Sequence, residues 1–199
     1  MGYPKFFDSV ESIKVVDPLS NVLGAFEDGL YEITFLEVVK AAGHSCPTVA
    51  GAYLITLEGL KALYPDARAV RGEIKVEFRD PMEEGVAGVI GNVVSQITGA
   101  TEKSGFKGLG GKFARHSLMK FNANINSSIR LTRADNGKSV DVYYDPSSIG
   151  GSPKMQMLMQ KMMGGMASKE EAKEFGALWQ DRVERIMANI PSVIRVVKN

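Results

Sequence analysis

Cysteine is nearly absent from this 199-residue sequence, which holds only Cys46. That excludes an intramolecular disulfide, a paired-cysteine zinc ribbon and dithiol cycling within one chain, and it fits a reducing cytoplasm. Histidine is almost as scarce, with His44 and His116 alone. No stretch reaches the roughly 18 apolar residues of a membrane helix, and Met1 to Asp8 lack the basic start and apolar run of a secretory signal. Charge of one sign is missing too: 24 Lys and Arg stand against 23 Asp and Glu. No global field then attracts a polyanion. The expectation is a cytoplasmic protein with neither nucleic acid nor membrane as a partner.

What is present suffices for one well-buried core, since 44% of residues are hydrophobic and 24% are charged. Residues 1 to 30 read as extended or short helical pieces broken at Asp17-Pro18 and Asp28-Gly29. Thr34 and Glu37 form a capping-box pattern ahead of a helix ending near Gly43. Pro47 suits a first helical position, which places Cys46 at the N-cap of an apolar helix running to Leu63. Residues 73 to 78 alternate as a strand does, and Val86 to Ile97 carries helical spacing. A glycine-rich loop spans Gly99 to Gly111. Strands are expected at Leu118 to Phe121, Ser128 to Thr132 and Val140 to Tyr144, with Asp135-Asn136-Gly137 turning between the last two.

The tail differs in character. Two helical segments flank Gly164-Gly165, and the second opens with a Ser168 and Glu171 capping box and carries Phe175, Trp179, Val183, Ile186 and Ile190 on one stripe. The fold class is α+β, a mixed sheet flanked by helices, with residues 1-150 as core domain and 151-199 as a Met-rich helical extension packed on it. Met155, Met159, Met162 and Met166 share one helical stripe; soft thioethers can bind Cu(I) or haem iron, but packing is the preferred reading.

The chemistry concentrates at Gly43-His44-Ser45-Cys46-Pro47. A sulfur at a helix N-terminus faces unpaired N–H donors and the positive end of the helix dipole, a setting that favours thiolate and so a nucleophile or metal ligand. His44 can supply an imidazole nitrogen to the same metal or act as base for the thiol. The plain alternative is a small buried cysteine beside a surface histidine. In the loop, Gly105 to Lys112 does not make a P-loop, because Phe106 stands where a glycine is needed and Phe113 where Ser or Thr binds the metal ion. It reads instead as a lid or anion-binding loop, with Lys103, Lys107 and Lys112 available to an anionic substrate, or equally as a plain surface loop.

The 43–47 motif leading into an apolar helix, the Ile97-Thr98-Gly99-Ala100-Thr101 segment and the loop ending at Gly111-Lys112 resemble the FmdE-like family of formylmethanofuran dehydrogenase subunits over roughly residues 30 to 122. The resemblance implies a thioredoxin-like α+β core, in a form without an appended zinc finger. It also implies a metal site, zinc or another transition metal, in which His44 and Cys46 are the positions that carry over, and a setting in anaerobic one-carbon or redox metabolism. This chain departs from the pattern at Ala42, where a histidine is typical, at Thr48, where a glycine is, and at Ala100, where a cysteine is; residues 84 to 89 also lack the family's earlier cysteine. A metal held by His44 and Cys46 then needs further ligands, and His116 is the candidate to complete a His2Cys set with one position open, the alternative being a solvent-facing histidine after Arg115. Two rivals remain. One is metal-free thiol chemistry or redox sensing at Cys46. The other is a binding module, for haem through Cys46-Pro47 or for another small-molecule ligand. An accessory subunit docking through its Met-rich helix, or a homodimer, is compatible with either.

Overall fold

A computed structural model describes residues 2–199. Its organising element is α3, Pro47–Leu63, which is apolar nearly all round and therefore buried rather than laid on a surface. Val49, Ala50, Tyr53, Leu54, Ile55 and Leu60 are all within the core. The polar groups that α3 buries are satisfied locally: Thr56 Oγ1 donates to the Ala52 carbonyl at 2.8 Å, and Tyr53 Oη to the Glu11 and Ile33 carbonyls at 2.7 and 3.0 Å.

Two sheets share this helix. The larger has the order β5-β4-β6-β7-β8, from β4 (Ile74–Phe78), β5 (Met119–Lys120), β6 (Ile129–Arg133), β7 (Ser139–Tyr144) and β8 (Ile194–Lys198). It is mixed, with β5 parallel to β4 and the other pairs antiparallel. The smaller sheet, β2-β1-β3, sets β1 (Ile13–Val16) antiparallel to β2 (Leu30–Ile33) and parallel to β3 (Ala69–Val70). Helices α2 (Phe35–Ala42), α4 (Ala87–Thr98) and α6 (Lys169–Ala188) pack against α3, and α5 (Pro153–Met163) packs on α6. Short helices α1 (Pro18–Val22) and α7 (Ile190–Val193) complete the chain. The class is α+β, as expected. No helix among the described residues is long and apolar enough to cross a membrane.

Local chemistry sets the element ends. Thr34 and Glu37 cap α2 reciprocally, as Ser168 and Glu171 cap α6. Beyond α6 the chain does not stop at the helical stripe. It turns back as β8 against β7, in register from Val140 opposite Lys198 to Tyr144 opposite Ile194. The methionine stripe packs only at its start: Met155 is buried, whereas Met162 and Met166 are 40% and 74% exposed. The reason is that α5 rests on α6 through its first turns, with Leu158 as the other buried residue.

Asp17 bridges the small sheet to the rest. It caps α1, accepting from the Leu19 and Ser20 N–H groups, and it pairs with Arg71 and Arg115. Burial would raise its carboxyl; Arg115, the Ser20 N–H and Arg71 outweigh that and hold it below the usual carboxylate range.

The approach of α3 to the large sheet depends on small residues. A Cβ at Gly51 would lie 2.2 Å from Tyr144 Cε1, and one at Gly59 would lie 2.7 Å from Leu131 Cδ1. Gly176, exposed on α6, has nothing within 4 Å of the equivalent point. Gly51→Ala is therefore expected to destabilise the protein by about 1–3 kcal/mol in urea denaturation, overpacking outweighing the gain in helix propensity. Gly176→Ala, with no neighbour to displace, is expected to stabilise it by roughly 0.5–1 kcal/mol.

Candidate functional site

Gly43 ends α2 with a left-handed backbone, φ 76°, and its N–H bonds the Val39 carbonyl. The chain reverses through His44 and Ser45, and Cys46, extended at φ −149° and ψ 169°, caps α3. Its Sγ accepts from the Val49 N–H at 3.4 Å, and Pro47 takes the first helical position, where no N–H is required. Cys46 is half-buried against the core and makes no disulfide.

His44 is exposed beside it. Its Nδ1 lies 3.0 Å from the Ala42 carbonyl, and because a carbonyl only accepts, Nδ1 carries the proton. In the neutral ring Nε2 then presents a free lone pair, the nitrogen available to a metal or a proton. His44 also lines a groove of about 310 Å³ between α2 and α4, with Ala42, Val89, Asn92, Val93 and Gln96.

Three side chains remote in sequence hold this turn. Trp179 Nε1 and Gln180 Nε2, from α6, both donate to the Ser45 carbonyl at 3.1 Å. Tyr144 Oη, from β7, donates to the Pro47 carbonyl at 2.6 Å. Burial pushes the Tyr144 phenol up, with nearby Arg182 working the other way and Cys46 adding to the rise, so it stays a protonated donor at neutral pH. Ser45 Oγ and Gln180 Oε1 are buried without a hydrogen-bond partner next to the thiol-bearing turn. A second cavity, about 280 Å³, opens on the other side of the α3 start, with Thr48, Phe78, Arg79, Ser128 and Tyr144 among its walls.

The other sequence candidates sit apart. His116 is on the returning arm of the 99–118 loop, its Nδ1 3.0 Å from Ser117 Oγ. Among the described residues no three His, Cys, Asp or Glu side chains are grouped so as to hold a metal ion, so His44, Cys46 and His116 are not assembled into one three-ligand set. Lys103, Lys107 and Lys112 are exposed along the loop. Trp179 was legible only as part of an apolar stripe, and the roles of Gln180 and Tyr144 had no signal in their local sequence.

A protein-family model described as "FmdE, Molybdenum formylmethanofuran dehydrogenase operon" matches residues 41–194. The chain belongs to this family. The FmdE match begins just before the His44–Cys46 turn and runs through α6 into β8, so it takes in the elements that hold the turn. No curated protein sequence matches the chain.

Trp179 is the sole tryptophan of the protein, and its indole bonds the residue next to Cys46. Alkylating Cys46 with iodoacetamide should therefore change the intensity or wavelength of tryptophan emission. Emission unaltered at full labelling would mean that α6 does not hold the turn.

Proposed function

We propose that this FmdE-family protein serves one-carbon or redox metabolism through the 43–47 turn. In this reading Cys46 is the ligating or reacting sulfur, His44 Nε2 is its nitrogen partner, and a small molecule occupies the groove beside His44. The observation that carries the reading is the pairing of two features two residues apart. One is a sulfur fixed as the N-cap of a buried helix; the other is an imidazole whose Nδ1 proton is committed to Ala42, leaving Nε2 open. A carbonyl held by two donors from α6 is the kind of support that fixes a site residue within a narrow geometry.

The donor set limits what the turn can hold alone. One nitrogen and one thiolate suit zinc or another transition metal in kind, but a structural zinc takes four protein ligands and a catalytic one three. The chain's own residues thus fit half of a site, and any further ligand comes from the small molecule, from water or from a second subunit. With a metal bound, His44 and Cys46 would be its protein ligands, and the ion would supply Lewis acidity to the molecule in the groove. Without one, the same residues serve a metal-free thiol chemistry, with His44 positioned as base; the shortage of grouped ligands favours keeping this as the second reading.

Elemental analysis of anaerobically purified protein separates the two. The metal reading expects about one equivalent of a transition metal in the wild type, lost in both Cys46→Ser and His44→Ala. Metal-free protein whose Cys46 is alkylated several-fold more slowly in His44→Ala would support the thiol reading. Metal-free protein with identical alkylation in both would remove the site altogether.

A further inference from the structure

Charge does not balance where β1 meets α1. One carboxylate, Asp17, faces two guanidiniums, Arg71 and Arg115; the Asp17 and Arg115 side chains are only 5% and 7% exposed. Asp17 has no acceptor capacity left: Oδ1 takes Arg115 Nη2 at 2.6 Å along with the Leu19 and Ser20 N–H groups, and Oδ2 takes Arg71 Nη1 and Tyr31 Oη. Arg71 directs its remaining Nε and Nη2 to the Ile97 and Gln96 carbonyls at the C-terminus of α4. Arg115 has no such outlet. Its Nε and Nη1 are buried without a partner, and so is the hydroxyl of Ser20, a residue of the same cap. A buried cation that shares its single counter-charge with another is costly, and two of its donors left open add to the cost.

The backbone is nonetheless shaped to keep the guanidinium there. Gly72 (φ 87°) and Gly99 (φ 75°) lie against it, and a Cβ would come within 1.7 Å of Nη1 at the first and 3.0 Å at the second. The loop leading to Arg115 adds cations at its surface, with Lys103, Lys107 and Lys112 against Glu102 as the one acid between 101 and 115. That loop is closed at its base by the Thr101 N–H to the Arg115 carbonyl at 2.9 Å, and one further bond, Arg115 N–H to the Phe106 carbonyl at 2.8 Å, ties its first arm to Arg115. Its tip is a small turn in which Leu109 and Lys112 exchange backbone bonds.

We propose that this corner binds a small oxyanion, of the carboxylate or phosphate class, with Arg115 as the recognising cation, the Ser20 hydroxyl as a second donor and the 101–114 loop as the cover that moves to admit it. An oxyanion supplies both the missing negative charge and acceptors for the open donors, and charge-assisted bonds to guanidinium are the strong ones. The surface lysines draw the anion in; they do not form the site. Gln96 stands between this corner and the groove at His44, its carbonyl taking Arg71 and its side chain lining the groove. The site is independent of whether Cys46 binds metal.

The test is titration of the full chain with inorganic phosphate and, separately, with acetate, each against chloride at fixed ionic strength, by calorimetry and thermal shift. Saturable binding of one of the two is expected, the better ligand naming the class. Arg115→Gln should weaken it at least about tenfold, the loss of charge-assisted bonds. Should that variant fail to fold, Ser20→Ala decides, with several-fold weaker binding expected. A triple Lys103→Gln, Lys107→Gln, Lys112→Gln variant should still saturate. Absence of saturable binding to both anions would overturn the proposal. So would binding unchanged in Arg115→Gln, or in Ser20→Ala where that variant decides, and so would binding abolished in the triple variant.

Discussion

The structure is arranged around a helix that shows little to solvent beyond Lys61 near its C-terminus. To bury so much of α3 the chain must bring a sheet within contact distance of its backbone, which is why Gly51 and Gly59 face Tyr144, Leu131 and Val142. The remaining sides are covered by α2, α4 and α6. The N-terminus of such a helix cannot be satisfied by bulk water alone, and the chain meets the need with Pro47, which has no N–H, and with the sulfur of Cys46. The one sulfhydryl of the chain is therefore also a structural cap.

The site inherits its geometry from that packing. Because Tyr144 must lie against Gly51, its hydroxyl reaches the Pro47 carbonyl; because α6 covers α3, Trp179 and Gln180 reach the carbonyl of Ser45. The tail is thus part of what holds the 43–47 turn. His44 is the exception, since it points into the groove and is fixed only by its own Ala42 carbonyl. The turn therefore combines a fixed sulfur with an accessible imidazole.

What could be read in the sequence was what is local. The Thr34/Glu37 and Ser168/Glu171 boxes, the Cys46-Pro47 helix start and the Asp135-Asn136-Gly137 turn are each decided within a few residues, and each is present. The resemblance to the FmdE family came from the same short motifs. Pairings across long separations were not legible: β8 returns to β7 from the end of the chain, Trp179 meets Ser45 across 134 residues, and Arg115 meets Asp17 across 98. A five-residue segment such as Ile194–Lys198, whose adjacent Val196 and Val197 break any alternation, is too brief to distinguish from the end of a helical stripe. The methionine stripe had the right period for packing, but periodicity does not say how far along the helix a partner extends.

The claim on which the account rests is that α6 fixes the Cys46 turn, and the most direct measurement is the alkylation rate of Cys46 in wild type beside Trp179→Phe/Gln180→Leu, with circular dichroism melts on the same samples. Releasing two hydrogen bonds from the Ser45 carbonyl, at roughly 1 kcal/mol per bond, is expected to change that rate by up to about thirtyfold, while both proteins still unfold cooperatively. Equal rates in two well-folded proteins would contradict the account.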